Sequence, residues 1–97
     1  MDEVGFRNWL NQKNKNHKVI SDTISRLKRI EKEFDFCNLD DEFKNDGCAK
    51  LIQALANNGK NDTMKSYPKC ALPIGKYAMG TYRYAVNLYL QFMEEQS

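Results

Sequence analysis

The chain is short of the residues that build catalytic and metal sites. Its one histidine, His17, sits in a polar stretch between Lys15 and Lys18. A nucleophile–base pair would have to join it to Cys37, Cys48 or Cys70, and none of these stands in a recognisable motif. His17 and the three cysteines match structural zinc in number. Zinc sites of this size use closely spaced ligand pairs, and here no two of the four lie within ten residues. Glycine and proline are scarce, at five and two, and Gly75 and Gly80 form no Gly-rich phosphate loop. The cluster Asp40-Asp41-Glu42 lacks the second ligand group that a hydrolytic magnesium site needs, and reads as a solvated first helical turn. No catalytic residue, metal or cofactor is expected.

Two further absences bear on location. No apolar run approaches the length of a membrane span, and acidic Asp2 and Glu3 oppose a secretory signal. Three irregularly spaced cysteines, an odd number, suit reduced thiols. The expectation is a soluble cytoplasmic protein with no membrane partner. An apolar fraction of 41%, with five Phe, five Tyr and one Trp, is globular rather than disordered. At 97 residues the chain forms one domain, residues 1–97.

Strand-period alternation, internal repeats and low-complexity tracts are also missing, whereas helical periodicity is plain. Phe6, Trp9 and Leu10 share a face over Glu3–Gln12, and Asn11 to Asn16 reads as a loop. Over Val19–Phe34, Ile20, Ile24, Leu27 and Phe34 line one side, widened by Val19, Thr23 and Ile30. Asp22 with Arg26 and Arg29 with Glu33 are i,i+4 pairs, while Glu31 lands awkwardly near the apolar stripe. Residues 36–47 read as a connection with one short helical turn, capped by Asn38 and anchored by Leu39 and Phe43. Cys48–Ala56 is a helix with Asp46 as candidate cap, Leu51, Ile52 and Leu55 buried, and Gly59 just past its end.

Lys60 to Gly75 is a long connection, with an extended piece over Tyr67–Ile74 as the alternative. The last helix spans about Lys76 to Glu95. Tyr82, Ala85, Val86, Tyr89 and Met93 share one face, flanked by Leu88, Leu90 and Phe92. Gly80 weakens its first turn and marks either its true start or a close crossing. So wide an apolar surface is covered on more than one side, as in the centre of a bundle. The fold expected is all-α, a single small bundle of four to five helices.

Charge is sorted into blocks although the net is only +2. From Lys13 to Lys32 seven basic residues stand against Asp22 and Glu31; from Glu33 to Asp46 six acids stand against Lys44. From Gly47 to Arg83 six basic residues stand against Asp62. Such blocks set the local field a partner meets. On the second helix, Lys18, Ser21, Ser25, Lys28, Arg29 and Lys32 project away from the apolar stripe. Hydroxyls and cations so placed can donate to phosphates and reach base edges, although they also fit an ordinary solvated face. Lys60, Lys65, Lys69 and Lys76, with Tyr67 nearby, form a second candidate phosphate-contacting patch.

Three segments, Phe6-Arg-Asn-Trp-Leu10, Val19 to Glu31 and Tyr82 to Phe92, occur in this order. Together they resemble the small helical modules at the ends of bacterial restriction-type nucleases and McrB-like defence proteins. More loosely, they are similar to the core-binding helical domain of tyrosine recombinases. Thr23-Ile24-Ser25-Arg26 looks locally like part of a helix-turn-helix recognition helix, without the turn that should precede it. The resemblance implies a noncatalytic module bound to DNA or docked in a nucleoprotein complex, with catalysis elsewhere. The competing reading is a small phage or mobile-element inhibitor of the anti-CRISPR or anti-restriction type. It would bind a host nucleoprotein complex through its acids, Asp35, Asp40, Asp41 and Glu42. A homodimer would cover Tyr77, Met79, Tyr84 and Leu88 if these exceed what a small core can bury.

Overall fold

Two amphipathic helices with long apolar stripes must cover each other, and the fold is arranged around that pair. A computed structural model describes residues 1–34 and 39–96. It contains five α-helices: α1 (Glu3–Gln12), α2 (His17–Glu33), α3 (Leu39–Asp46), α4 (Ala49–Leu55) and α5 (Met79–Gln96). Short 3₁₀ turns lie at Ala56–Gly59 and Met64–Ser66, and there is no strand among the described residues. The chain is an all-α bundle. Its most extensive packing is α2 on α5, with α1 laid over both and α4 on another side of α5.

The stripe of α2 is buried as its periodicity requires: Ile20, Thr23, Ile24, Leu27, Ile30 and Phe34 are all inside. Helix α5 supplies Tyr82, Ala85, Val86, Leu88, Tyr89 and Phe92, and Met93 is half-buried. Between the two, α1 inserts Phe6, whose ring centroid lies 5.3 Å from Phe92, 6.0 Å from Trp9 and 6.1 Å from Tyr89. Trp9 closes the edge of this cluster, its indole N–H donating to Glu95 at 2.9 Å.

Helix ends account for most differences from the sequence reading. Helix α2 begins at His17, not Val19, because Asn16 caps it, its side chain accepting the Val19 N–H at 2.8 Å. Helix α3 runs for 8 residues rather than one turn, and Asn38, its expected cap, lies outside the described residues. Cys48, not Asp46, stands at the head of α4, with a left-handed backbone (φ 63°). Asp46 still accepts the Lys50 N–H, at 3.2 Å. Ile52 is turned outward and Ala54 takes its expected place in the core with Leu51 and Leu55. Helix α5 starts at Met79, so Gly80 marks its start rather than a close helix crossing.

The extended alternative over Tyr67–Ile74 is not realised; that stretch runs through turns and bends. It still packs. Met64 and Leu72 are buried, and Tyr67 meets Phe34 edge-on at 4.6 Å. Gly59 is required where the chain leaves α4. Its φ is +84°, and a Cβ there would stand 3.2 Å from Ile74 and Met79 side-chain atoms. The proposed dimer patch is also corrected, since Met79 and Leu88 are buried in the chain's own core. Only Tyr77 and Tyr84 remain outside, the latter with the Lys15 ammonium 5.9 Å from its ring.

Candidate nucleic-acid interface

Along α2 the outward edge divides into three lines. Lys18, Ser25 and Lys32 recur every seven residues, are exposed, and the two lysines form no ion pair among the described residues. At 1.5 Å per residue they are separated by about 21 Å along the helix. Lys18 and His17 occupy the first turn, which carries no acid. There the helix dipole adds to the positive field of Lys18 instead of offsetting it.

On one flank Ser21 is half-buried, and exposed Lys28 reaches α1. The Lys28 ammonium lies 2.5 Å from a Glu3 carboxylate oxygen. That hydrogen bond holds the Glu3 carboxyl below its ordinary value. On the other flank, the Arg29 guanidinium donates to the Tyr82 hydroxyl at 3.1 Å and to the Ala71 carbonyl at 3.0 Å. Glu33 accepts the Ala71 N–H at 2.7 Å. One turn of α2 therefore grips both polar groups of a single loop residue. Among the described residues the expected i,i+4 pairing of Arg29 with Glu33 is absent, both side chains reaching across to the loop, and Asp22 and Arg26 form no ion pair either. Lys28 and Arg29 thus serve the fold, while Arg29 keeps an exposed surface in a fixed orientation.

The second patch is built by the segment after α4. Lys60, Lys65, Lys69 and Lys76 are all exposed. Lys60 and Lys65 border an open cleft of about 520 Å³ floored by Met64, Tyr67 and Ile74. Lys65 lies 3.1 Å from Asp62, both almost fully in solvent, so this pair contributes little to stability. Lys76 borders an adjoining cleft of about 470 Å³ with Asn58, Gly75 and Tyr77. Lys69 lines neither cleft. Tyr77, expected on a dimer face, lies instead beside a lysine in the Gly75-Lys76-Tyr77 stretch, a proximity visible in the sequence.

The acidic block is largely spent on the fold. Asp40 accepts a hydrogen bond from the Tyr89 hydroxyl and lies 3.7 Å from the Met1 ammonium. Glu31 stands 3.8 Å from the same ammonium and accepts the Leu39 N–H at 2.8 Å. Its awkward position on α2 is explained: it meets the N-terminus and heads α3. Glu42 is half-buried, Asp41 is exposed, and Asp35 lies outside the described residues, as does Cys37. Among the described residues no three His, Cys, Asp or Glu side chains converge.

Burial and the neighbouring Asp46, Glu42 and Asp40 push the Cys48 thiol from 9.0 up to about 12. Burial and Asp40 likewise raise the Tyr89 hydroxyl. A raised thiol pKa favours the protonated form in the folded state. Its contribution is complete below pH 9 and drains away as pH rises toward about 12. Urea unfolding at a series of pH values should show a decline starting near 9, and Cys48→Ala should make it shallower, leaving the smaller share of Cys70, which burial also raises. An unchanged profile in the variant would contradict this account.

The class defined so far is a small all-α bundle carrying one cationic helix edge and one lysine-rich loop. No protein-family model, curated protein or solved structure matches the chain.

Proposed function

We propose that this chain is a noncatalytic helical module that associates with nucleic acid. The setting we propose, from the resemblance of its helices, is a restriction-type or McrB-like defence assembly. The observation that carries the reading is the exposed Lys18–Ser25–Lys32 edge, whose lysines form no ion pair among the described residues, extended by the lysines of the Lys60–Lys76 segment. Cations that the chain does not neutralise itself can displace the counterions of a phosphate backbone. The acid-docking alternative, an inhibitor of a host complex, has less support because Asp40 is engaged by Tyr89 and the N-terminus. A stoichiometric protein partner captured without nucleic acid would favour it.

Fluorescence anisotropy with a 20-base-pair duplex tests the reading. Affinity should fall with salt, and Lys18→Glu with Lys32→Glu should shallow the log–log slope by about 2 and weaken binding tenfold or more. Arg29 is left intact, since replacing it disturbs the loop. Absence of binding to any nucleic acid at low salt, or an unchanged slope in the variant, would overturn the reading.

A further inference from the structure

We infer that the Lys60–Tyr77 segment is a site for single-stranded nucleic acid, with the Tyr77 ring as a base-stacking platform and Lys60 and Lys76 as phosphate contacts. The inference rests on the nucleic-acid reading above and narrows it to an unpaired strand at this site.

Tyr77 is 96% exposed, more than any other large apolar side chain among the described residues. Its backbone is nevertheless held. The Gly75 N–H donates to Asn58 at 2.6 Å, the Lys76 N–H to Pro73 at 3.1 Å, and the Gly80 N–H to the Tyr77 carbonyl at 2.9 Å. An aromatic ring on an anchored backbone, uncovered by its own chain, presents apolar surface to a partner at low ordering cost.

The ring stands beside cations. Lys76 shares its cleft, and Lys60 borders the larger cleft while its side chain lies against Gly75 of the smaller one. A Cβ on Gly75 would fall 2.8 Å from Lys60 Cε, so the lysine side chain crosses directly over this glycine, whose φ is +81°. The only acid in the segment, Asp62, is already paired with Lys65. The result is a pair of lysine-bordered clefts, with Tyr77 lining one and Tyr67 lining the other.

That combination selects the form of nucleic acid. In a duplex the base faces are covered by their neighbours, which leaves the Tyr77 ring nothing to stack on. An unpaired strand offers both a π-face and phosphates. An acidic peptide would satisfy the lysines but makes no demand on the ring.

The experiment compares a labelled oligo-dT of 20 nucleotides with a 20-base-pair duplex and with polyglutamate. Wild-type protein should prefer oligo-dT. Tyr77→Ala should weaken oligo-dT binding roughly five- to hundredfold while Tyr77→Phe retains it. Lys60→Ala with Lys76→Ala should lower the salt slope by about 1.4. Circular dichroism should be unchanged in all three, since these side chains are exposed. Duplex binding without oligo-dT preference, or insensitivity to Tyr77→Ala, overturns this inference and leaves the broader reading standing. Equal affinity for polyglutamate also overturns it, as charge alone would then suffice. Failure to bind either nucleic acid overturns both.

Discussion

Replacing Phe6 with alanine should destabilise the protein by about 3–5 kcal/mol, the range for removing a fully enclosed aromatic side chain. Phe6 has no exposed surface and its ring touches those of Trp9, Tyr89 and Phe92. It is the central contact between α1 and α5. A helix of 10 residues does not persist alone in water, so loss of this ring should release α1 as a unit. Urea unfolding followed by Trp9 fluorescence would measure the effect, and thermal unfolding should show a melting temperature lower by about 12 °C or more. Val4→Ala on the same helix, 71% exposed, should be nearly silent. A Phe6→Ala loss below about 1 kcal/mol would mean that α1 is not held by its aromatic face.

Arg29→Ala should be the most disruptive change among the basic residues of α2, costing about 1.5–3 kcal/mol for its charged hydrogen bonds. It removes the donors to Tyr82 and Ala71 together and leaves Glu33 as the remaining hold of α2 on that loop residue. Arg29→Lys should not restore the loss, because a single ammonium cannot reproduce a planar fork aimed at two acceptors. Limited trypsin digestion should show faster cleavage after exposed Lys69 in the variant. Equal cleavage rates in variant and wild type would place Arg29 among ordinary solvated cations instead. The comparison with Lys32→Ala is direct, since that side chain has no partner within the described residues and should be neutral to stability.

The contrast between Lys32 and Arg29 shows where sequence reading stops. Both were placed correctly on the outward side of α2, because a 3.6-residue period fixes which side faces the core. Their different fates depend on what stands opposite. Tyr82 is 53 residues from Arg29, and Ala71 is 42. Glu3, which neutralises Lys28, lies in another helix altogether. The lysines of the second patch were legible as a group because they are close in sequence. The clefts, and the exposure of Tyr77 beside them, belong to a segment whose backbone is left-handed at Asn57, Asn58, Gly59 and Gly75, a conformation the sequence pattern does not display.

The acids give the same lesson from the other side. Asp40 reads as one of a solvated run, and Glu31 as a misplaced charge, until Tyr89 and the chain's first residue are brought between them. Composition and periodicity alone settled the helical class, the inward stripes of α1, α2 and α5, and the alternation of charge along the chain. These are properties of neighbours within a few residues. Only the tertiary structure decided which charges are consumed in holding the helices together and which remain in water. A side chain's electrostatic partner is set by distance in space, and in a packed bundle that distance is unrelated to separation along the chain.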